Sequence, residues 1–201
     1  MTYDERPALR GRPGYSREQV IAAAVDEFNA HGYEATSMGA LAKTLGISKS
    51  AIYHHVESKE EILREATNLA LRALGAVVEE AHQQPGGALQ QLRYVIAGSV
   101  RVLCANQSQV TLLLRLRGNS EAERAAMEKR RGITYAMIGL VKQAQDEGGV
   151  RSDIDPGFAG RIIFGAVNSI ADWYEPGGKF TPEEIAEQIL TLVSVGLGKR
   201  S

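Results

Sequence analysis

The chain has 201 residues, 44% of them hydrophobic and 23% charged, with a formal net charge of −1. That apolar fraction supplies a real core and excludes a disordered chain, and the length holds one medium domain or a small plus a medium one. The N-terminus is polar and Arg-rich, no run of eighteen apolar residues occurs, and Cys104 is the single cysteine. A cytoplasmic protein with no membrane span, secretory signal or internal disulfide is expected.

Residues 1–15 read as a flexible basic arm, with Arg6, Arg10 and Arg12 set among Pro7, Gly11, Pro13 and Gly14 and no acid between Arg6 and Arg17. Arg10-Gly11-Arg12-Pro13 has the shape of a minor-groove reader, in which a slim glycine lets the flanking arginines enter a narrow groove. Equally, it reads as a solvated tail that touches phosphates without regard to sequence.

A first helix begins at Ser16 with a capping box to Gln19, carries Val20, Ile21, Ala24, Val25 and Phe28 on one face, and stops at Gly32. Its expected role is scaffold. In Ser37 to Lys59 the periodicity predicts two short helices around a tight turn. Ser37 or Thr36 caps the first, which buries Met38, Leu41, Ala42 and Leu45; Gly46 takes the left-handed turn; and Ser48 caps the second. Ile52 and Val56 point inward, leaving Lys49, Ser50, Tyr53 and His54 outward. This is a helix-turn-helix, whose second helix enters a major groove. An ordinary two-helix corner with a solvated polar face would give the same pattern. Thr36, at a helix N-terminus, and Lys59, at the start of the next helix, are candidates for phosphate contact.

Ser58 and Glu61 form a second capping box, opening a long helix from Lys59 to about Gln83 that can carry movement between domains. After Gln84-Pro85-Gly86-Gly87, helices are predicted at 88–105, 107–117, 120–147, 156–174 and 181–197. No strand alternation or 20–50-residue repeat occurs. The expectation is an all-α chain. It comprises the arm (1–15), an N-terminal three-helix helix-turn-helix domain (16–58) and a C-terminal helical ligand-binding and dimerisation domain (59–201).

Arg115 and Arg117 interrupt an apolar run, Leu112 to Leu116, and must either snorkel or pair with anions. Arg131, beside Lys129 and Arg130, reads as part of a solvated face shared with Glu121, Glu123 and Glu128, or as an anion contact. Trp173 and Tyr174 are candidates for a dimer seam or a ligand site. Small residues at Ala159, Gly160, Ala166 and Ala171, and a stripe of Ile185, Ile189, Leu192, Val193 and Leu197, predict a two-fold four-helix interface and hence a homodimer. Cys104, beside the apolar Val102 and Leu103, reads as a core thiol, with redox sensing the alternative. Catalysis is not expected, and no cofactor or metal is called for. The four histidines, His31, His54, His55 and His82, lack metal-pair spacing, and Asp153 and Asp155 beside Pro156 read as a helix cap.

Phe28, Gly32, Tyr33, Thr36, Leu41, Ala42, Gly46, Ile47, Ser48, Tyr53, His55, Lys59 and Ile62 stand in an order and spacing that resembles the TetR family of transcriptional regulators. Val56 replaces the family's usual Phe, and Ser50 stands where Gly is common. The resemblance implies a homodimeric repressor on a palindromic double-stranded DNA operator, contacting DNA through Arg10, Arg12, Thr36, Ser48, Lys49, Ser50, Tyr53, His54, His55 and Lys59. Residues 120–197, above all Trp173-Tyr174-x-Pro176-Gly177-Gly178, resemble a subgroup responding to acyl-coenzyme A thioesters of fatty, aromatic or sterol-derived acids. That implies an effector held by Arg115, Arg117, Arg131, Asn168, Trp173 and Tyr174. The alternatives are a regulator answering to an uncharged apolar molecule and a ligand-independent architectural DNA binder.

Overall fold

The computed structural model describes residues 15–198, so Arg10, Arg12 and the basic arm lie outside the described residues. Nine α-helices are present in them: α1 Arg17–His31, α2 Met38–Leu45, α3 Lys49–Tyr53, α4 Lys59–Ala81, α5 Gly87–Ala105, α6 Gln107–Arg115, α7 Glu121–Asp146, α8 Pro156–Trp173 and α9 Pro182–Leu197. Their boundaries follow local chemistry. Ser16 and Gln19 form the expected capping box on α1, and Ser37, not Thr36, accepts the Ala40 N–H to cap α2. Gly46 stands at φ 66°, the left-handed conformation that closes α2 with its N–H on the Ala42 and Lys43 carbonyls. Ser48 then accepts from Ala51 N and starts α3.

The recognition helix is shorter than the apolar spacing predicts. It ends at Tyr53, and His54 and His55 N–H groups donate to Ala51 and Ile52 carbonyls three residues back, a tightened turn that folds Val56 into the core.

The helices enclose one main apolar core, with a small second cluster of Ala88, Ala144 and Val150. Phe28, Leu41, Ile52 and Ile62 fill the helix-turn-helix end of the main core, and Leu92, Ile96, Met137 and Ile170 fill the larger domain. α4 belongs to both ends, packing on α1 at its start and on α5 and α7 along its length. Gly160 does not serve a dimer surface, because a Cβ there would meet Ile138 Cγ1 at 2.6 Å; it lets α8 approach α7 within the chain. Ala159 and Ala171 are likewise buried. The α9 stripe divides as well: Ile185 and Ile189 are buried, whereas Leu192 is 74% exposed. No described helix is long and apolar enough to cross a membrane.

Candidate functional site

The outward face of α3 carries Lys49, Ser50 and Tyr53, with His54 next in the turn, all exposed. The Ser48 hydroxyl is exposed but occupied as a cap, and His55 is half-buried. Helix and turn are fixed from behind by Arg17. Its Nε donates to the His55 carbonyl at 2.9 Å, and its guanidinium pairs with Glu61 at 2.6 Å and with Glu65. These partners raise the Arg17 pKa further above its usual value, with the hydrogen bond to Glu65 first and that to Glu61 second. The sequence reading missed Arg17, whose partners lie 38, 44 and 48 positions away.

Two expected phosphate contacts are turned inward. Thr36 is 3% exposed, and its hydroxyl donates to the Gly32 carbonyl at 2.8 Å. The Lys59 ammonium donates to the Tyr33 carbonyl at 2.9 Å and lies 4.3 Å from the centroid of the Tyr33 ring, so it latches the start of α4 to the α1–α2 turn. That turn offers the Tyr33 carbonyl, which also accepts from Thr36 N–H, and an aromatic face within reach of a flexible stem, and both compete with a phosphate.

The six residues proposed for an effector do not converge. Arg115 donates to the Asn29 carbonyl at 2.5 Å, joining α6 to the end of α1. With Arg117 it borders a crevice of about 560 Å³ between the α1–α2 turn and the α6–α7 connection. Arg131 lies elsewhere, on α7, paired with Glu128 at 2.8 Å. It lines a cleft of about 230 Å³ with Arg130 and Arg161, flanked by Thr134, Tyr135 and Met127. Arg130 donates to the Leu113 carbonyl at 3.0 Å, and burial, then the neighbouring Arg131, push its pKa down. Three arginines line this small cleft, Arg131 with Glu128 at its side, an arrangement suited to a phosphate or another polyanion.

Asn168 is half-buried on α8, and Trp173 closes that helix about 18 Å along the axis from Arg161. Trp173 is 50% exposed and in register with Phe158, Ile162 and Ala166, so it stands on an apolar outer face. Tyr174 packs against the core while its carbonyl accepts from Gln107 Nε2 at 2.8 Å. Cys104 is partly buried, and burial, then Glu183, raise its thiol pKa, as suits a packing residue.

Glu123, read as solvated from the sequence, is 2% exposed. Its carboxylate accepts from the Arg117 and Gly118 N–H groups, each at 2.9 Å. Burial raises its pKa, but these backbone donors and a hydrogen bond from Glu34 outweigh that and lower it. Glu34 moves the opposite way, raised first by its hydrogen bond to Glu123 and then by desolvation. Ser120 caps α7 by accepting from the Glu123 N–H, a local contact, whereas Glu34 comes from a distant part of the chain.

Among the described residues no group of histidine, cysteine and carboxylate side chains is arranged to hold a metal.

Comparison with known proteins agrees with this architecture. The "Tetracyclin repressor-like, C-terminal domain" family matches residues 85–197, and "Bacterial regulatory proteins, tetR family" matches 20–66. A crystal structure of a TetR-family regulator from Streptomyces coelicolor A3 is 41% identical, covers 97% of this chain and 99% of its own, and superposes with a TM-score of 0.84. The transcriptional repressor KstR2 of Mycobacterium tuberculosis is 25% identical over 95% of this chain and 97% of its own. AibR, solved with isovaleryl coenzyme A and operator DNA, shares the fold at a TM-score of 0.72, with 22% identity and coverage of 88% of this chain and 96% of its own. With a helix-turn-helix at one end, an all-helical second domain and a family match over most of its length, the chain belongs to the TetR family of DNA-binding transcriptional regulators.

Proposed function

We propose that the protein is a homodimeric cytoplasmic repressor released from a palindromic operator by an acyl-coenzyme A thioester. The observation that carries the effector class is the cleft where Arg130, Arg131 and Arg161 converge, because a coenzyme A ligand brings phosphates for guanidiniums and an adenine for Tyr135. The name of AibR's ligand supports the same reading. On the opposite face of α7, a groove against α4 walled by Leu71, Val78 and Ile133 has open space at Gly75 and Gly132 and offers a separate place for an apolar group. Glycine inside a helix costs about 1 kcal/mol relative to alanine, so two facing an unfilled groove favour a functional reason for the space. A ligand there presses on α4 directly.

Lys49, Ser50, Tyr53 and His54 read the DNA, and the arm supplies Arg10 and Arg12 to the flanks. The domains divide at Ser58 and Lys59, with α4 as the lever. Dimerisation uses the outer stripe of α8, Phe158, Ile162, Ala166 and Trp173, together with Leu192 and Val195 of α9.

The test is operator binding followed by fluorescence anisotropy, on DNA selected by the purified protein. Fatty, aromatic and sterol-derived thioesters are expected to weaken binding, the matching free acids to do so less, and Arg161→Met to blunt the thioester effect while leaving unliganded affinity intact. If all thioesters leave operator affinity unchanged, the effector is an uncharged apolar molecule or there is none.

A further inference from the structure

Two of the helices end on carbonyls that an arginine from elsewhere in the chain takes up. α6 stops at Arg115, and Leu116 is extended at ψ 141°. One more helical turn would bring the Arg117 N–H to the Leu113 carbonyl, but that N–H donates to the Glu123 carboxylate at 2.9 Å. The Arg130 guanidinium fills the place from α7, donating to the Leu113 carbonyl at 3.0 Å. Arg130 is half-buried, so its charge sits where the carbonyl end of the α6 dipole favours a cation.

α1 ends in the same way. Gly32, at φ 90°, turns the chain and closes on the Phe28 carbonyl. The Asn29 carbonyl, next along and among the last four of the helix, accepts instead from Arg115 at 2.5 Å. The Asn29 side-chain amide reaches across to α6 and donates to the Ser108 carbonyl at 2.9 Å. Ser108 and Arg115 lie two turns apart on one face of α6, so the end of α1 is gripped at both ends of that helix. α1 leads into the α1–α2 turn, whose Tyr33 carbonyl holds Lys59, and on to the helix-turn-helix.

We propose that Arg130 and Arg115 are positioning residues for operator binding that act in series: Arg130 caps α6, and the capped helix presents Arg115 to cap α1. Arg115 stands in the same last turn of α6 as Leu113, so a turn that frays when Leu113 loses its cap carries Arg115 off Asn29. The helix-turn-helix end then loses one of its fixings to the larger domain, and the two recognition helices of a dimer lose their fixed separation. Arg130 also lines the α7–α8 cleft, and an anion bound there competes with the Leu113 carbonyl for the guanidinium. That regulatory consequence rests on the proposed function; the series of caps does not.

The test uses the full chain without ligand, by operator binding in anisotropy well below the melting temperature and by hydrogen exchange in mass spectrometry. Arg130→Met and Arg115→Met are each expected to weaken operator binding about tenfold, the lower end of what a hydrogen bond to a charged group contributes. The salt slope should not change, because neither residue meets a phosphate. Arg130→Met should speed exchange in both 107–117 and 29–36, whereas Arg115→Met should speed it in 29–36 alone, since Leu113 keeps its cap. The double variant should bind operator no more weakly than the weaker single one, as groups acting in series do. Arg130→Lys, which keeps a donor on a flexible stem, should recover part of the affinity. Arg124→Met, which removes a similar bond from α7 to the Gly118 carbonyl beyond α6, should leave affinity unchanged. Arg115 is exposed, so its variant stays folded, and circular dichroism checks every variant. Wild-type affinity in either methionine variant, additive losses in the double variant, or an equal loss in Arg124→Met overturns the proposal. No measurement uses a thioester, so this failure is separate from failure of the effector reading.

Discussion

The two lysines of the DNA-binding end have different environments and different expected roles. Lys49 is exposed in the first turn of α3, whereas the half-buried Lys59 holds the Tyr33 carbonyl. Each phosphate neutralised contributes about 0.9 to the slope of log affinity against log salt. Lys49→Ala is therefore expected to lower that slope by about one ion on any sequence. Lys59→Met should lower melting temperature and operator affinity with the slope unchanged, since it loosens the turn without removing a DNA contact. Salt titrations by anisotropy check both. An equal slope change at Lys59 would show its ammonium leaving Tyr33 for a phosphate in the complex.

At the scale of elements, α1 is fastened at both ends. Arg17 ties its start to α4 and to the turn after α3, while Asn29 ties its end to α6. Arg17→Met is expected to reduce operator affinity by roughly tenfold because it frees the turn after α3, as loss of a hydrogen-bonded pair costs about 1–3 kcal/mol. Arg17→Lys should restore only part, because one ammonium cannot reproduce the fork.

The Glu34–Glu123 contact predicts a pH dependence of definite sign. The folded pKa of Glu34 is raised above its ordinary 4.5, so its contribution is complete below that value and fades as pH rises through the raised one. Glu34→Gln keeps a donor without a titrating proton. Its melting temperature should gain on wild type as pH climbs from about 4 to 7, and a constant difference would contradict the shared proton.

These fastenings mark what the sequence conceals. Caps and turns were readable because Ser16 with Gln19, Gly46 and Ser48 act within four residues of their own helices. Arg17 meets Glu61 and Glu65 across 44 and 48 positions, and Arg130 and Arg161 meet only because α7 packs on α8. No local pattern encodes such pairings. The inward turn of Thr36 and Lys59 escaped notice for the same reason, since their positions match a DNA contact while their partners are tertiary.

For the whole molecule, the outer α8–α9 face is the proposed seat of dimerisation. Ile162 is 59% exposed, Leu192 74% and Val195 80%, with little to gain from isolation in water. Combining Ile162→Asp with Leu192→Asp should yield a folded monomer in sedimentation velocity that binds operator at least tenfold more weakly, because two recognition helices no longer share one rigid body. A dimer that survives both substitutions would place the interface elsewhere.

Release of DNA by a ligand requires that the two bind the same dimer antagonistically, and linkage makes that antagonism reciprocal. The most direct measurement is titration calorimetry of one thioester into the free protein and into the protein saturated with operator. The account predicts affinity for the thioester lower in the operator complex by about 5–150-fold, the range of 1–3 kcal/mol of coupling, and equal to the factor by which the thioester weakens operator binding. Equal affinity for the thioester with and without operator would contradict it.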